Sequence, residues 1–166
     1  MFSGMYRVAI ALAASLLAAP AHAQPGQGEA AYIDDRSTAT DVIRSLYSAI
    51  NRGEYLRAWS YFHERERPEL ESFIEGYADT GSVRLATGDE QSEGAAGTVY
   101  WTVPVAIEAA RSDGTTTVFA GCYTLSQPNP ALQATPPFDP ISIHEGALHP
   151  ADAPLDDAVP KDCGED

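Results

Sequence analysis

An α+β fold is predicted for this chain: three N-terminal helices packed on a curved antiparallel β-sheet. Three observations predict it. Apolar residues recur at helical spacing between residues 42 and 77, two long strand-like runs meet at Asp113-Gly114, and shorter alternating runs flank that pair.

Residues 1–23 read as a secretory signal peptide. Arg7 supplies the positive start, Val8 to Ala19 is an apolar run, and Ala21-His22-Ala23 is a small-x-small cleavage site. As a helix that run would rise about 18 Å, short of the roughly 30 Å hydrocarbon core, so a membrane anchor is the poorer reading. The expected location is periplasmic or secreted. Residues 24–36 are polar and contain Gly and Pro, and they are expected to form a flexible lead-in. Residues 37–149 suit one domain with one core, and residues 150–166 form an acidic tail. The whole chain carries 24 acidic against 10 basic residues, a formal net charge of −14. Such a surface repels nucleic acid and anionic lipid, which excludes both as partners.

The first helix is marked by Val42, Ile43, Leu46, Tyr47 and Ile50, with Thr40 or a nearby hydroxyl as N-cap. Asn51-Arg52-Gly53 stops it, Gly53 being suited to the left-handed position after the cap. Tyr55, Ala58, Trp59 and Phe62 repeat the spacing and give a second helix. Pro68 opens a third, carried by Leu70, Phe73, Ile74 and Tyr77 and ended by Asp79-Thr80-Gly81. His63-Glu64-Arg65-Glu66-Arg67 reads as a solvated charged link between helices two and three. The aromatics at these spacings are better explained as core than as a cofactor box, because each buries a large apolar area.

Val83 to Thr87 alternates as a short strand, and Gly88 to Gly97 reads as a flexible acidic connection. Its carboxylates Asp89, Glu90 and Glu93 lack the rhythm of a calcium loop. The central hairpin follows. Val99 to Ile107 and Thr115 to Leu125 are rich in β-branched and aromatic residues, and Asp113-Gly114 suits a two-residue turn. That turn would set Ser112 opposite Thr115, and hence Val103 opposite Thr124, Val105 opposite Cys122 and Ile107 opposite Ala120. Both faces of the hairpin are largely apolar, so each needs a cover. Pro104 cannot donate to a ladder and marks a bulge or an unpaired edge position. A proline-rich strap follows Leu125, and Ile141-Ser142-Ile143-His144 gives the last strand.

Cys122 and Cys163 are the only cysteines, and in an exported protein a disulfide between them is the favoured reading. It would tie the acidic tail to the second central strand and contribute about 4 kcal/mol in the chain-entropy model. His144 and His149 stand five residues apart, so they cannot share a helical face as a zinc-protease pair does, and the spacing supplies no metal site. No phosphate loop, nucleophile elbow or dinucleotide fingerprint occurs, and no cofactor is called for. His63, Asp79 and His144 are the candidate acid–base groups, should the fold bring them into one cavity.

Residues 46–59, Leu-Tyr-Ser-Ala-Ile-Asn-Arg-Gly-Glu-Tyr-Leu-Arg-Ala-Trp, carry a family likeness. A first helix ending in Asn-x-Gly and a second opening with aromatic-x-x-Ala-Trp resembles the start of the NTF2-like (SnoaL-like) superfamily. The likeness extends loosely through the strands to about Leu148. It implies a cone in which helices close over a concave sheet, with a pocket between them and dimers through the sheet's outer face. The Tyr/Asp or His/Asp sets of its isomerase and dehydratase members find no residue-by-residue match, which puts catalysis in doubt. The strap and the bridged tail also depart from the compact pattern. The expectation is an exported, non-catalytic domain binding a small apolar ligand or an envelope protein. Tyr47, Trp59, Phe62, Tyr77, Trp101 and Val103 are its candidate pocket residues. Rival expectations are a pocket enzyme of isomerase or dehydratase type, and a scaffold that docks a partner through its sheet face or strap.

Overall fold

The computed structural model describes residues 30–164, so the signal-peptide reading of residues 1–23 lies outside the described residues. Helix α1 spans Ala39–Asn51, with Thr38 as its N-cap: the Thr38 hydroxyl accepts from the Asp41 amide. The neighbouring Thr40 instead donates its amide and hydroxyl to the Glu90 carboxylate at 2.9 and 2.7 Å. Val42, Ile43, Leu46 and Ile50 form the buried stripe the spacing predicts. Two serines interrupt that stripe for a reason. Ser45 and Ser48 exchange hydrogen bonds with the backbone of Ala31, Ile33 and Asp35, so residues 31–35 lie fixed along α1 rather than loose.

Helix α2, Tyr55–Trp59, and α3, Leu70–Gly76, are shorter than their apolar spacing suggests. α2 stops because Phe62 leaves the helical path to form a parallel bridge with Ile143. α3 begins after Pro68, with Glu69 at its N-cap, and buries Phe73 alone. Phe73 makes edge contacts with Phe62 and Tyr77, which hold α3 down.

Five strands form one curved antiparallel sheet: β1 Thr80–Thr87, β2 Gln91–Ala95, β3 Thr98–Arg111, β4 Thr116–Pro128 and β5 Ser142–Ala151. β1 and β2 share one edge of β3, β1 along its C-terminal half and β2 along its N-terminal half. β2 occupies the stretch expected to be a flexible connection. Ala96 and Gly97 both have positive φ there, the requirement of a tight two-residue hairpin turn. Pro104 sits in the gap between β1 and β2. Its carbonyl accepts from Gly88, so its missing donor faces that gap and the pairing with β4 is intact.

The central hairpin is where expected, but its register differs by one residue. Val103 pairs with Tyr123, Pro104 with Cys122, Val105 with Gly121 and Ile107 with Phe119. Ser112, Asp113 and Gly114 together form the loop, closed by the Arg111 amide donating to Thr115 and by Gly114 at φ +86°. The three-residue solution segregates the faces better than the two-residue one. Trp101, Val103, Val105 and Ile107 now share the inner face with Leu125, Tyr123 and Phe119.

That inner face packs on α1, with Val103, Val105, Leu125 and Ile143 fully buried. The outer face carries Pro104, Ala106 and Cys122, and the chain covers it with its own C-terminal segment. Helix α4, Leu155–Ala158, buries Leu155 against it, and Cys122 is disulfide-bonded to Cys163 with 5.9 Å between Cα atoms. Among the described residues no helix is long and apolar enough to cross a membrane.

Candidate functional site

Between α1 and the central strands β3 and β4 the space is filled by side chains, and an open groove of about 330 Å³ between α1 and β1 is lined by Tyr47, Asn51, Val83 and Leu85. Tyr47 and Val103 are core residues, and the Tyr47 hydroxyl meets that of Tyr123 at 2.7 Å. Burial pushes both phenols well above the ordinary tyrosine value. Tyr77 stacks on Tyr55, Trp101 packs half-buried against the core, and the Trp59 indole donates to the Pro68 carbonyl. Phe62 alone of the six predicted pocket residues reaches the polar cleft beside the link between α2 and α3, and the six do not line one cavity.

That cleft, about 420 Å³, lies where the link between α2 and α3 faces the ends of β3 and β4 and the start of β5. The parallel bridge Phe62↔Ile143 builds it. Ile143 donates to the Tyr61 carbonyl at 2.9 Å and His63 donates its amide to Ile143 at 2.7 Å, so the residues after the bridge, His63 and His144, emerge side by side. Their rings stack with centroids 4.6 Å apart and 17° between planes. A turn from His63 to Glu66, closed by a 3.0 Å backbone bond, folds the Glu66 carboxylate back onto the His63 Nδ1. The same carboxylate oxygen stands 3.7 Å from the His144 Nδ1. The other nitrogen of His144, Nε2, shares a 2.7 Å hydrogen bond with Ser126 on β4.

The electrostatics follow from these contacts. The hydrogen bond from His63 holds the Glu66 carboxyl below the usual range, with the two histidines' charge acting in the same direction. Burial pushes the His144 imidazole down, the adjacent His63 adds to that, and Glu66 opposes both. His144 is therefore biased towards the neutral form, able to accept a proton or bind a cation.

Three arginines complete the wall. Arg36 lies over the Tyr61 ring at 4.4 Å and donates to Ser60, Arg67 lies over Trp59 at 4.6 Å and donates to the Phe62 carbonyl, and Arg65 is exposed. None of the three forms an ion pair among the described residues, whereas Arg44, Arg52, Arg57 and Arg84 all do. The wall also carries Glu64, Glu66 and Asp139, so the cleft is balanced in charge within a strongly acidic chain.

Of the three predicted acid–base groups, the fold joins His63 and His144 and leaves Asp79 out. The Asp79 carbonyl accepts from Ser112 at the hairpin tip, the far end of β3, roughly 40 Å along the strand. Glu66 stands in its place. Sequence reading passed over Glu66, Ser126 and the arginines, because the link 63–67 looked like solvated charge. Its one usable signal is the spacing of His63 and Glu66, three residues apart as a tight turn brings together. Comparison with known proteins gives no match: no family model, no curated protein and no solved structure is similar to this chain.

Proposed function

We propose that this chain is an exported binding domain of the NTF2-like kind, and that its cleft takes a small anion bearing carboxylate or phosphate groups. One observation carries the reading. In a chain with 24 acidic residues, three arginines that form no ion pair among the described residues converge on one cleft. Arg111 and Lys161 also form no ion pair among the described residues, but they stand apart, whereas three such cations facing one space suit an anion from outside. Guanidinium groups offer it forked donors, and the Tyr61 and Trp59 rings beneath Arg36 and Arg67 hold two of them in place. Export is supported by the leader pattern of residues 1–23 and by the Cys122–Cys163 bond, which suits an oxidising compartment. The NTF2-like kinship is supported by the order of helices and strands and by the motif at residues 46–59. The filled interior is why the ligand is placed in the cleft and is polar rather than apolar.

The test is thermal unfolding with inorganic phosphate or citrate as the probe, at constant ionic strength. Both anions should raise the midpoint of the folded chain. Arg65→Gln and Arg67→Gln should abolish the rise, while Arg111→Gln at the hairpin tip should leave it intact. A response shared equally by all three variants would assign it to general screening and end the reading.

A catalytic reading has one observation in its favour, the contact of His63 with Glu66 beside a neutral-leaning His144. Such a set can relay a proton in an isomerase or dehydratase. Asp79 takes no part in it, being at the other end of the sheet.

A further inference from the structure

We propose that His63, Glu66 and His144 form a binding site for a first-row divalent transition-metal ion of the zinc type. The three offer one imidazole nitrogen each from the two histidines and one carboxylate oxygen, and these ligand atoms all lie within 4.8 Å of one another. Ligands bonded at about 2.1 Å and set at tetrahedral angles stand roughly 3.4 Å apart. The 3.7 Å between Glu66 and the His144 Nδ1 is close to that spacing and too long for a hydrogen bond. An imidazole lone pair lies in its ring plane, so binding one ion requires the two rings to turn out of their stack and Glu66 to draw back from His63.

A plain ion pair accounts for the arrangement less well. Glu66 needs only one histidine, yet a second ring is stacked on the first with its Nδ1 turned to the same carboxylate. Where the His144 Nε2 carries the proton and donates it to Ser126, the Nδ1 presents its lone pair to the Glu66 oxygen 3.7 Å away. A shared cation resolves that opposition. The Ser126 contact is also the outer-shell bond that fixes which nitrogen of a metal-binding histidine is free.

The backbone makes the pair of histidines permanent, because it follows from the parallel bridge at Phe62 and Ile143 and not from mobile side chains. Three protein ligands leave at least one coordination position open to the cleft, where water or an anion can complete the set. Two imidazoles with one carboxylate select zinc, cobalt, nickel or copper over calcium and magnesium, which prefer oxygen ligands alone. None of the three arginines is a ligand, so the site stands independently of the anion reading.

The experiment uses the full chain without an affinity tag, stripped with chelator. It is titrated with Zn²⁺ by calorimetry and with Co²⁺ by visible absorption. One ion per chain is expected, with the cobalt bands of a four- or five-coordinate nitrogen–oxygen site. His63→Ala and His144→Ala should each weaken binding at least tenfold, and Ser126→Ala about tenfold through the freed ring. His149→Ala should leave affinity unchanged, as should Arg65→Gln. Should His144→Ala fail to fold, His63→Ala and Glu66→Gln decide the matter, since both side chains are about two-fifths exposed. Absence of Zn²⁺ uptake at 100-fold excess, or uptake equal in the His63 and wild-type chains, would overturn the site. The phosphate melting experiment, run with chelator present, still tests the anion reading alone.

Discussion

Tyr47 and Tyr123 meet inside the molecule, and His63 and His144 meet at its rim. In each pair one partner comes from the helical layer and the other from the sheet. The tyrosines are buried and satisfy each other, hydroxyl to hydroxyl. The histidines are part-exposed and share one carboxylate unevenly beside three arginines that form no ion pair among the described residues. Burial explains the difference: a polar atom inside must be paired or the fold weakens, whereas one at the rim can stay available at little cost. The interior is thus built for stability and the rim for an incoming ligand, and substitutions should separate the two.

The largest effect is expected from Leu46→Ala. Leu46 is fully buried on α1 against the inner face of the sheet, and the cavity should cost about 2–5 kcal/mol of unfolding free energy. The phosphate response of the molecules that remain folded should be unchanged. Denaturant unfolding gives the first quantity and melting with phosphate the second. A phosphate response lost in step with stability would show that interior and rim are one unit, and would dissolve the comparison.

Tyr47→Phe sharpens it at the level of a single atom. It strands the buried Tyr123 hydroxyl, which has no other partner among the described residues, at about 1–3 kcal/mol. Adding Tyr123→Phe should return most of that loss, because no orphaned polar atom then remains. A double variant no more stable than the single one would mean that the two hydroxyls matter for something other than each other.

How much of this could be read beforehand depends on the range of the contact. The stripe of α1 and the site of the central hairpin rest on local periodicity, and both were legible. The hairpin register was not, since Ser112, Asp113 and Gly114 suit a two- or a three-residue loop equally, and only packing of the faces decides. Ser45 and Ser48 have no partner that local spacing supplies, and only the extended chain lying on α1 gives them partners. The rim was least legible. His63 and His144 are neighbours because a non-local parallel bridge makes them so, and periodicity carries no trace of it. Cys122 and Cys163, 41 residues apart, were legible only because no other cysteine competes for either.

The smallest expected effect separates the interior from the rim by pH. Burial raises the Tyr77 phenol from 10.0 to about 12, and it raises the phenols of Tyr47 and Tyr123 as well. A raised folded value means that the unfolded chain releases its proton first as pH climbs. Stability from Tyr77 is therefore complete below pH 10 and is lost progressively between pH 10 and about 12. At pH 11 its share of the loss is on the order of 1 kcal/mol. Tyr77→Phe should flatten the decline in unfolding free energy between pH 9 and pH 11 by that amount, leaving the remainder to the Tyr47–Tyr123 pair. If the variant declines as steeply as the parent, Tyr77 ionises freely in the folded state. The inner side of α3 would then have to be counted with the open rim, on the wetter side of the boundary drawn between Tyr47 and His63.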